Sequence, residues 1–577
     1  MVKKSIYTYG NTTVRNTTRF PEGLRVLEAS KYNGNINSKH DELGFAELLN
    51  NNDVVEMEAD KEPDDSLGRK WRSAFDKTGF ITPATVRRNK LLENNGYDPI
   101  AQNVKKLYPD LPISGRAYEV TPQGQRLAEA NTIYEMQDTI LRALLAIQID
   151  SFDVVNTKFK PFVFVLQVMK CLRNFKQKKG INRLELVIVS SCTDHSKAAK
   201  IAQDIIKYRE GRDKVKGKRA KSKYDREFLS PYADQVNVKY DTAVTYEDPN
   251  FKYMLSTGIF SRQGRRLIFN KEHQDVIDEI LKSEPHIINN TEEYYYNLWK
   301  GYPLPTDNRE ILVAEIQKLA AKLNVKLSSD KLKASIPDLK QLEIQLEMQD
   351  GQIREKAYAR EQDTPENVDN IITYLRVING EVKSGEEYEN ARDDMPAFLE
   401  WVTWRAFLAI DGLKCKPYEA RGFKVDQDFF PAGNAPGGRP DIMLEFDDYV
   451  LVVEVTLTSS SRQESAEAEP VRRHVAQIQE KYPDKPVYGL FLAQSIDNNT
   501  AEMFRTGLWY KKDEPQFVNI VPMKLSQFIY IMKEFQKNQF SNSKIEALIE
   551  KCLIPRIATV PIWKREIDKT IQRYQLA

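Results

Sequence analysis

Two acidic residues in the C-terminal third of the sequence have the types and the spacing of a metal-binding pair. Residues 439–456 read RPDIMLEFDDYVLVVEVT, where an alternating apolar stretch is followed by a continuous β-branched one. This pattern predicts a half-buried strand and a fully buried strand, joined by a two-residue turn at Asp447 and Asp448. Because such a turn pairs residues symmetrically about itself, Asp441 is predicted to lie directly opposite Glu454.

A divalent cation is the simplest way to stabilise this pair. Facing residues of antiparallel strands hold their Cβ atoms about 4.5–5.5 Å apart, and two carboxylates at that distance repel each other. Mg²⁺ is usually bound by one or two carboxylates with waters and a phosphate, and Mn²⁺ is the expected substitute. Thr456 shares the face of Glu454, two residues earlier. The alternative, a solvated hairpin with acids at its edge, is disfavoured because Glu454 interrupts an apolar run where an uncompensated charge is costly.

The segments around these acids resemble a known nuclease family. Pro440 and Asp441, followed by Glu454, Val455 and Thr456, resemble the PD-(D/E)xK motif with threonine in place of the usual lysine. In its wider context the chain is similar to the AlwI-type family of type IIS restriction endonucleases, which includes strand-specific nicking enzymes. The segments that carry this resemblance are FLEWVTWRAF (398–407), AGNAPGGRPD (432–441), VVEVT (452–456) and ESAEAEPVRRH (464–474).

Three further residues are expected at the same site. Glu400 lies on a predicted helix before the hairpin, where it could approach the metal or its waters; the alternative is an ordinary surface glutamate. Glu467 and His474 stand seven residues apart near a helix expected from about Pro470, and would share a face if both were helical. The resemblance implies that the positions of Glu467 and His474 complete the site, although a lone helical histidine is more often structural. The implied reaction is Mg²⁺-dependent hydrolysis of a phosphodiester that leaves a 5′-phosphate.

Length and composition limit the class of protein. A chain of 577 residues suggests three or four domains, and 41% hydrophobic with 29% charged residues is ordinary for a globular protein. We expect no membrane partner, since no apolar run approaches the ~20 residues of a membrane span and the N-terminus lacks a secretory signal. The four cysteines show no C-x-x-C pairing, which indicates neither a zinc site nor a disulfide framework and fits a reducing cytoplasm. The resemblance to restriction endonucleases implies that the cytoplasm is that of a prokaryote.

The predicted fold is a multidomain α+β protein in four segments. Residues 1–135 and 136–285 are predicted to be two DNA-recognition subdomains of winged-helix type. Residues 286–390 are rich in Leu, Ile, Glu, Lys and Gln at helical spacing and are predicted to form a helical linker. Residues 391–577 are predicted to form an α/β cleavage domain of PD-(D/E)xK type around a central mixed sheet.

Local patterns support the winged-helix prediction for the first segment. A helix begins near Asp65 and Ser66 and ends near Gly79, short strands follow at 80–81 and 117–120, and a further helix begins at Thr121. In the second segment, 162–172 is predicted to be a buried helix, and 184–189 could be a strand or a buried helix.

A net charge of +2 does not by itself indicate that the chain binds nucleic acid. A DNA-binding function therefore requires that the basic residues be clustered. Residues 207–226 hold ten Lys or Arg against three acids. Residues 257–270 are predicted to form a β-hairpin turning at Gln263 and Gly264, the shape of a wing that lies on a sugar-phosphate backbone. A solvated basic face is the alternative for each group. The candidate DNA-binding residues are Arg69, Lys70 and Arg72 on the first helix, Lys214, Lys216, Lys218 and Arg219 in the basic stretch, and Arg262, Arg265 and Arg266 in the hairpin.

The function predicted from these features is that of a type IIS restriction endonuclease, which binds a short asymmetric site in double-stranded DNA and cuts outside it. One nuclease domain cuts one strand at a time, so double-strand cleavage needs a second copy or a small nuclease subunit, and a cognate DNA methyltransferase is an expected partner of the system. Strand-specific nicking is the first alternative. A DNA-binding protein with a decayed nuclease domain is the second, since the motif lysine is missing. An RNA enzyme is disfavoured because the sequence lacks an aromatic platform for splayed bases.

Overall fold

The computed structural model describes residues 5–11, 14–55, 66–177, 179–382, 388, 391–392, 394–410, 412–436, 438–459, 463–511 and 514–573. The contacts divide the chain into two compact units, Met1–Met348 and Gln349–Ala577. The predicted division into four segments is finer than this one and stays a prediction. In the described part of the chain, none of the helices has both the length and the apolar composition of a membrane span.

The first unit is mainly helical. Its helices are α1 (Phe20–Glu28), α2 (Lys39–Asn51), α3 (Ser66–Lys77), α4 (Arg88–Glu93), α5 (Pro99–Leu107), α6 (Pro122–Glu129), α7 (Ile133–Ala146), α8 (Pro161–Asn174), α9 (Arg183–Ser190), α10 (Ala198–Asp213), α11 (Lys218–Gln235), α12 (Tyr240–Leu255), α13 (Gln274–Ser283), α14 (Thr291–Lys300), α15 (Arg309–Lys322) and α16 (Ser329–Leu332). A longer helix, α17 (Ile336–Arg360), contains the boundary between the units.

The strands of the first unit are short and antiparallel. They are β1 (Ile149–Asp150), β2 (Lys158–Phe159), β3 (Ile181–Asn182), β4 (Phe260–Gln263) and β5 (Arg266–Phe269). The first two pair with each other, and the other three form a sheet in the order β3-β5-β4. This sheet contains the predicted basic hairpin.

Most helices of the first unit follow the sequence patterns, and one open question is settled. Helix α3 ends at Lys77, and Gly79 follows with φ +73°, a conformation that favours glycine. Helix α8 is buried, as predicted. The ambiguous residues 184–189 are helical in α9. There the side chain of Asn182 accepts from the N–H of Glu185, whose carboxylate bonds back to the N–H of Asn182, a capping box that begins a helix.

Three local predictions for this unit were wrong. Neither 80–81 nor 117–120 forms a strand: only an isolated bridge joins Ile81 to Val120, and Tyr118 has φ +62°, which interrupts extended backbone. The hairpin at 257–270 is present, but its turn lies one residue later than predicted. Gln263 pairs with Arg266, so Gly264 and Arg265 form the turn, and glycine takes the positive φ of +57°.

The second unit is an α/β fold. Its helices are α18 (Pro365–Ile378), α19 (Met395–Ala409), α20 (Pro417–Ala420), α21 (Glu469–Lys481), α22 (Asn498–Thr506), α23 (Leu525–Asn538), α24 (Asn542–Leu553) and α25 (Val560–Arg573), and a π-helical turn, Glu464–Ala468, precedes α21. Its strands are β6 (Ile442–Glu445), β7 (Val450–Thr456), β8 (Val487–Ala493), β9 (Leu508–Lys511), β10 (Glu514–Phe517) and β11 (Asn519–Lys524).

Four of these strands form the central sheet, in the order β11-β8-β7-β6. Strands β7, β8 and β11 are parallel and β6 is antiparallel to β7, so the predicted mixed sheet is confirmed. Six of the seven residues of β7 are buried, as expected for an interior strand with both faces covered. The sheet therefore fixes the backbone that carries Glu454 and Thr456.

Candidate active site

The β6–β7 hairpin has the register predicted from its two-residue turn. Ile442 pairs with Val453 and Glu445 with Val450, and the N–H of Phe446 donates to the carbonyl of Tyr449 at 2.9 Å beside the turn. One step beyond the first of these pairs, Asp441 stands opposite Glu454. Both acids are therefore at the same end of the hairpin, as predicted.

The two carboxyl groups interact, and both resist ionisation. Burial raises the pKa of Asp441 well above its usual range, and the neighbouring Glu454 carboxylate raises it further. Burial also raises the pKa of Glu454, to about 8; hydrogen bonds with Asp441 oppose this increase, and the charges of Glu467 and Glu400 add to it. The N–H of Val455 donates to Asp441 Oδ2 at 2.9 Å, which opposes the shift only partly. A bound cation would remove this conflict.

Glu467 and His474 both contact the face of β7 that carries Glu454 and Thr456. His474 Nδ1 lies 2.7 Å from Glu454 Oε1, and both side chains are buried. Thr456 Oγ1 donates to Glu467 Oε1 at 2.7 Å. Both Glu467 and His474 are helical, the former in the π-helical turn and the latter in α21. The two partners of β7 therefore come from one continuous helical segment.

Glu400 contacts the loop that precedes Asp441. It is 5% exposed on α19, where its Oε1 accepts from Asn434 Nδ2 at 2.9 Å and its Oε2 accepts from the N–H of Ala435 at 2.7 Å. It also raises the pKa of Glu454, so it lies within electrostatic reach of the pair. The surface alternative is thereby excluded, while the predicted approach of Glu400 to a metal stays a prediction.

The donor set suits a hard cation with few protein ligands. Within the described residues, no three His, Cys, Asp or Glu side chains converge in the geometry of a metal site. Asp441 and Glu454 supply carboxylate oxygens, and Mg²⁺ is commonly held by one or two carboxylates, with water and phosphate at its other positions. The residues present therefore fit Mg²⁺ bound together with a phosphate ligand.

Comparison with known proteins identifies the family. The family model for the AlwI restriction endonuclease matches residues 85–531. The chain belongs to the AlwI restriction endonuclease family. No curated protein matches it. Among solved structures, the small subunit of the heterodimeric restriction endonuclease R.BspD6I is 21% identical over 36% of this chain and 100% of the subunit, with a TM-score of 0.28. That TM-score is too low to carry a structural argument.

Arg72 and Arg266, which were predicted to bind DNA in this member of the restriction endonuclease family, form ion pairs inside the first unit. Arg72 donates to Glu42 Oε1 at 2.9 Å, its guanidinium lies 4.2 Å from the ring centroid of Tyr118, and its side chain is 13% exposed. Arg266 forms an ion pair with the fully buried Glu185 at 2.9 Å. Both contacts hold elements of the first unit together. Sequence could not reveal them, because the partners are 30 and 81 residues away.

The remaining predicted DNA-binding residues differ in exposure. Lys70 and Arg262 are partly buried, and the Arg262 guanidinium lies 5.7 Å from the ring centroid of Phe251. The exposed members are Arg69, Lys214, Lys216, Lys218, Arg219 and Arg265. Their contact with DNA stays a prediction.

Proposed function

We propose that this chain is a type IIS restriction endonuclease. It binds a short asymmetric site in double-stranded DNA through residues 1–285, and its C-terminal domain hydrolyses a phosphodiester bond a few base pairs outside that site. The single observation that carries this proposal is the pairing of Asp441 with Glu454 at a buried end of the β6–β7 hairpin, with His474 bonded to Glu454. Membership of a restriction endonuclease family supports the substrate class.

Asp441 and Glu454 are the residues that would hold Mg²⁺. When bound, Mg²⁺ polarises a phosphate oxygen and lowers the pKa of a bound water. His474 keeps the Glu454 carboxylate in one orientation, and the N–H of Val455 does the same for Asp441. Attack of water in line with the leaving 3′-oxygen then gives a 5′-phosphate.

The finer fold assignments belong to the same proposal. The PD-(D/E)xK description of the second unit is supported by an acid at position 441, directly before β6, and an acid at 454 on β7, the antiparallel neighbour of β6 in a mixed sheet. The motif position normally held by lysine is Thr456, whose hydroxyl orients Glu467 instead. For residues 136–285, the β4–β5 hairpin beside α12 supports a winged-helix description.

A single hydrolytic site in each chain favours a second candidate function, the nicking of one strand. Double-strand cleavage then needs a second copy or a small nuclease subunit to supply the other cut. The complete loss of activity, leaving a DNA-binding protein, is the alternative that Thr456 favours. Without the lysine ammonium at this position, less positive charge is available to stabilise the transition state.

The products formed from supercoiled plasmid distinguish these three functions. With Mg²⁺, linear product indicates double-strand cleavage, nicked circles alone indicate nicking, and unchanged plasmid that is nevertheless bound indicates a decayed nuclease. EDTA should stop cleavage and leave DNA binding intact. Asp441→Asn should abolish cleavage, whereas Asp448→Asn, an equal charge change at the exposed turn of the same hairpin, should not. Full activity of Asp441→Asn would refute the assignment of the site.

A further inference from the structure

Arg116, which the sequence patterns did not single out, is held in a fixed orientation in the first unit. Its Nε donates to the carbonyl of Gly34 at 2.9 Å, its Nη2 donates to Asn35 Oδ1, and its guanidinium lies 5.2 Å from the ring centroid of Tyr97. All these partners are neutral. Within the part of the chain that the structure describes, Arg116 forms no ion pair with a carboxylate.

The backbone around Arg116 is shaped to admit this side chain. Gly34 and Gly96 have φ of +72° and +83°, where other residues are strained. A Cβ added at Gly34 would lie 3.3 Å from the Cβ and Cδ of Arg116, and one added at Gly96 would lie 3.1 Å from its Nη2 and 3.2 Å from Asn37 Nδ2. The two loops therefore form a close cradle for a half-buried arginine.

Further cations lie on the segment that ends at this cradle. Residues 87–97 contain three cations and one acid. Arg88 bonds to the buried Glu42 at 2.9 Å and so anchors α4 to α2. Arg87 and Lys90, on either side of it, are exposed and form no ion pair within the described part of the chain. The segment then returns to Arg116, where the N–H of Ala117 donates to the carbonyl of Gly96 at 2.9 Å.

We propose that Arg87, Lys90 and Arg116 form a surface, called here the Arg116 face, that contacts the phosphates of duplex DNA. This rests on the proposed function, since it assigns part of the DNA contact of the same enzyme. A cation that forms no ion pair with the protein breaks none when it contacts a phosphate, and each neutralised phosphate releases counterions condensed on DNA. An arginine already fixed by its neighbours also loses little side-chain entropy on binding. A purely structural role for Arg116 explains its hydrogen bonds but not the two exposed cations on the segment that leads to Gly96 and Tyr97.

The test is equilibrium binding of the full chain to labelled, sheared plasmid duplex in EDTA over a range of salt concentrations. The variant is Arg87→Gln/Lys90→Gln/Arg116→Gln. The double variant Arg87→Gln/Lys90→Gln keeps the cradle intact in case the loss of Arg116 impairs folding. The matched control, Lys326→Gln/Lys331→Gln/Lys333→Gln, removes the same charge from exposed positions of the same unit.

We expect the triple variant to bind at least about tenfold more weakly than the control, with the slope of log affinity against log salt flatter by roughly 0.9 for each lost contact. The double variant should show an intermediate change at unaltered thermal stability. Slopes equal to those of the control, in a chain that still cleaves plasmid, would overturn the Arg116 face and leave the proposed function standing. A wild-type chain that neither binds duplex nor cleaves plasmid would overturn both.

Discussion

Replacing His474 with alanine removes the ring that holds Glu454. The Nδ1–Oε1 distance is 2.7 Å and both side chains are buried, so water replaces the lost hydrogen bond poorly. With a cation bound, Glu454 would be ionised, and a hydrogen bond to a charged group is worth about 1.5–3 kcal/mol, which corresponds to roughly 10–100-fold in an equilibrium constant. Because Glu454 is a proposed metal ligand, we expect the Mg²⁺ concentration for half-maximal cleavage to rise by that factor.

The assay is the initial rate of plasmid cleavage as a function of Mg²⁺ concentration. His474→Asn, which retains a donor, should lie between the wild type and His474→Ala. Arg473→Ala serves as the control, because Arg473 directly precedes His474 on the helix and pairs with Glu469 at 3.2 Å instead of with Glu454. An unchanged Mg²⁺ dependence in His474→Ala would refute the positioning role. A rate that no Mg²⁺ concentration restores would place His474 in the chemical step itself.

Three further predictions concern buried polar groups. Burial raises the pKa of Glu247 from 4.5 to about 7; the folded state then holds this proton more tightly than the unfolded state, so stability falls as the pH rises from about 4.5 to 7. Glu247→Gln should remove up to about 3 kcal/mol of that fall, measured as urea midpoints from pH 4 to 8, and parallel profiles for both proteins would contradict it. Glu185→Gln should destabilise the first unit by about 3–5 kcal/mol, because Arg209 and Arg266 lose their buried partner. The control is Glu227→Gln, which removes the exposed ion pair with Lys223. Thr456→Val should slow cleavage about tenfold by freeing Glu467, Thr456→Ser should retain the rate, and equal rates for the two variants would show that the hydroxyl is not used.

The position of Asp441 opposite Glu454 at the candidate active site was predictable from the sequence because its causes are local. Alternating and continuous apolar runs identify β6 and β7, and a two-residue turn leaves a single register between them. The structure has that register from Ile442–Val453 to Glu445–Val450. Helices with clear caps, such as α6 beginning after Thr121, were predictable for the same reason.

The wrong predictions arose where backbone detail outweighs residue preference. Nothing in the residue types of 117–120 requires the positive φ of Tyr118 that prevents a strand there. The turn of the β4–β5 hairpin moved by one residue because Gly264 takes the first turn position, where a positive φ is required. A shift of one residue is enough to change which arginine lies in the turn.

The sequence by itself determined which acids face each other, since a strand pair joined by a tight turn depends only on neighbouring residues. Tertiary structure alone decided what surrounds them. The parallel pairing of β7 with β8 buries Glu454, and packing of the helical segment after the hairpin brings His474 and Glu467 to its face. Tertiary packing likewise decided which arginines have internal partners, because a buried glutamate far away in the chain attracts Arg72 or Arg266 by its position in space, which sequence spacing does not encode.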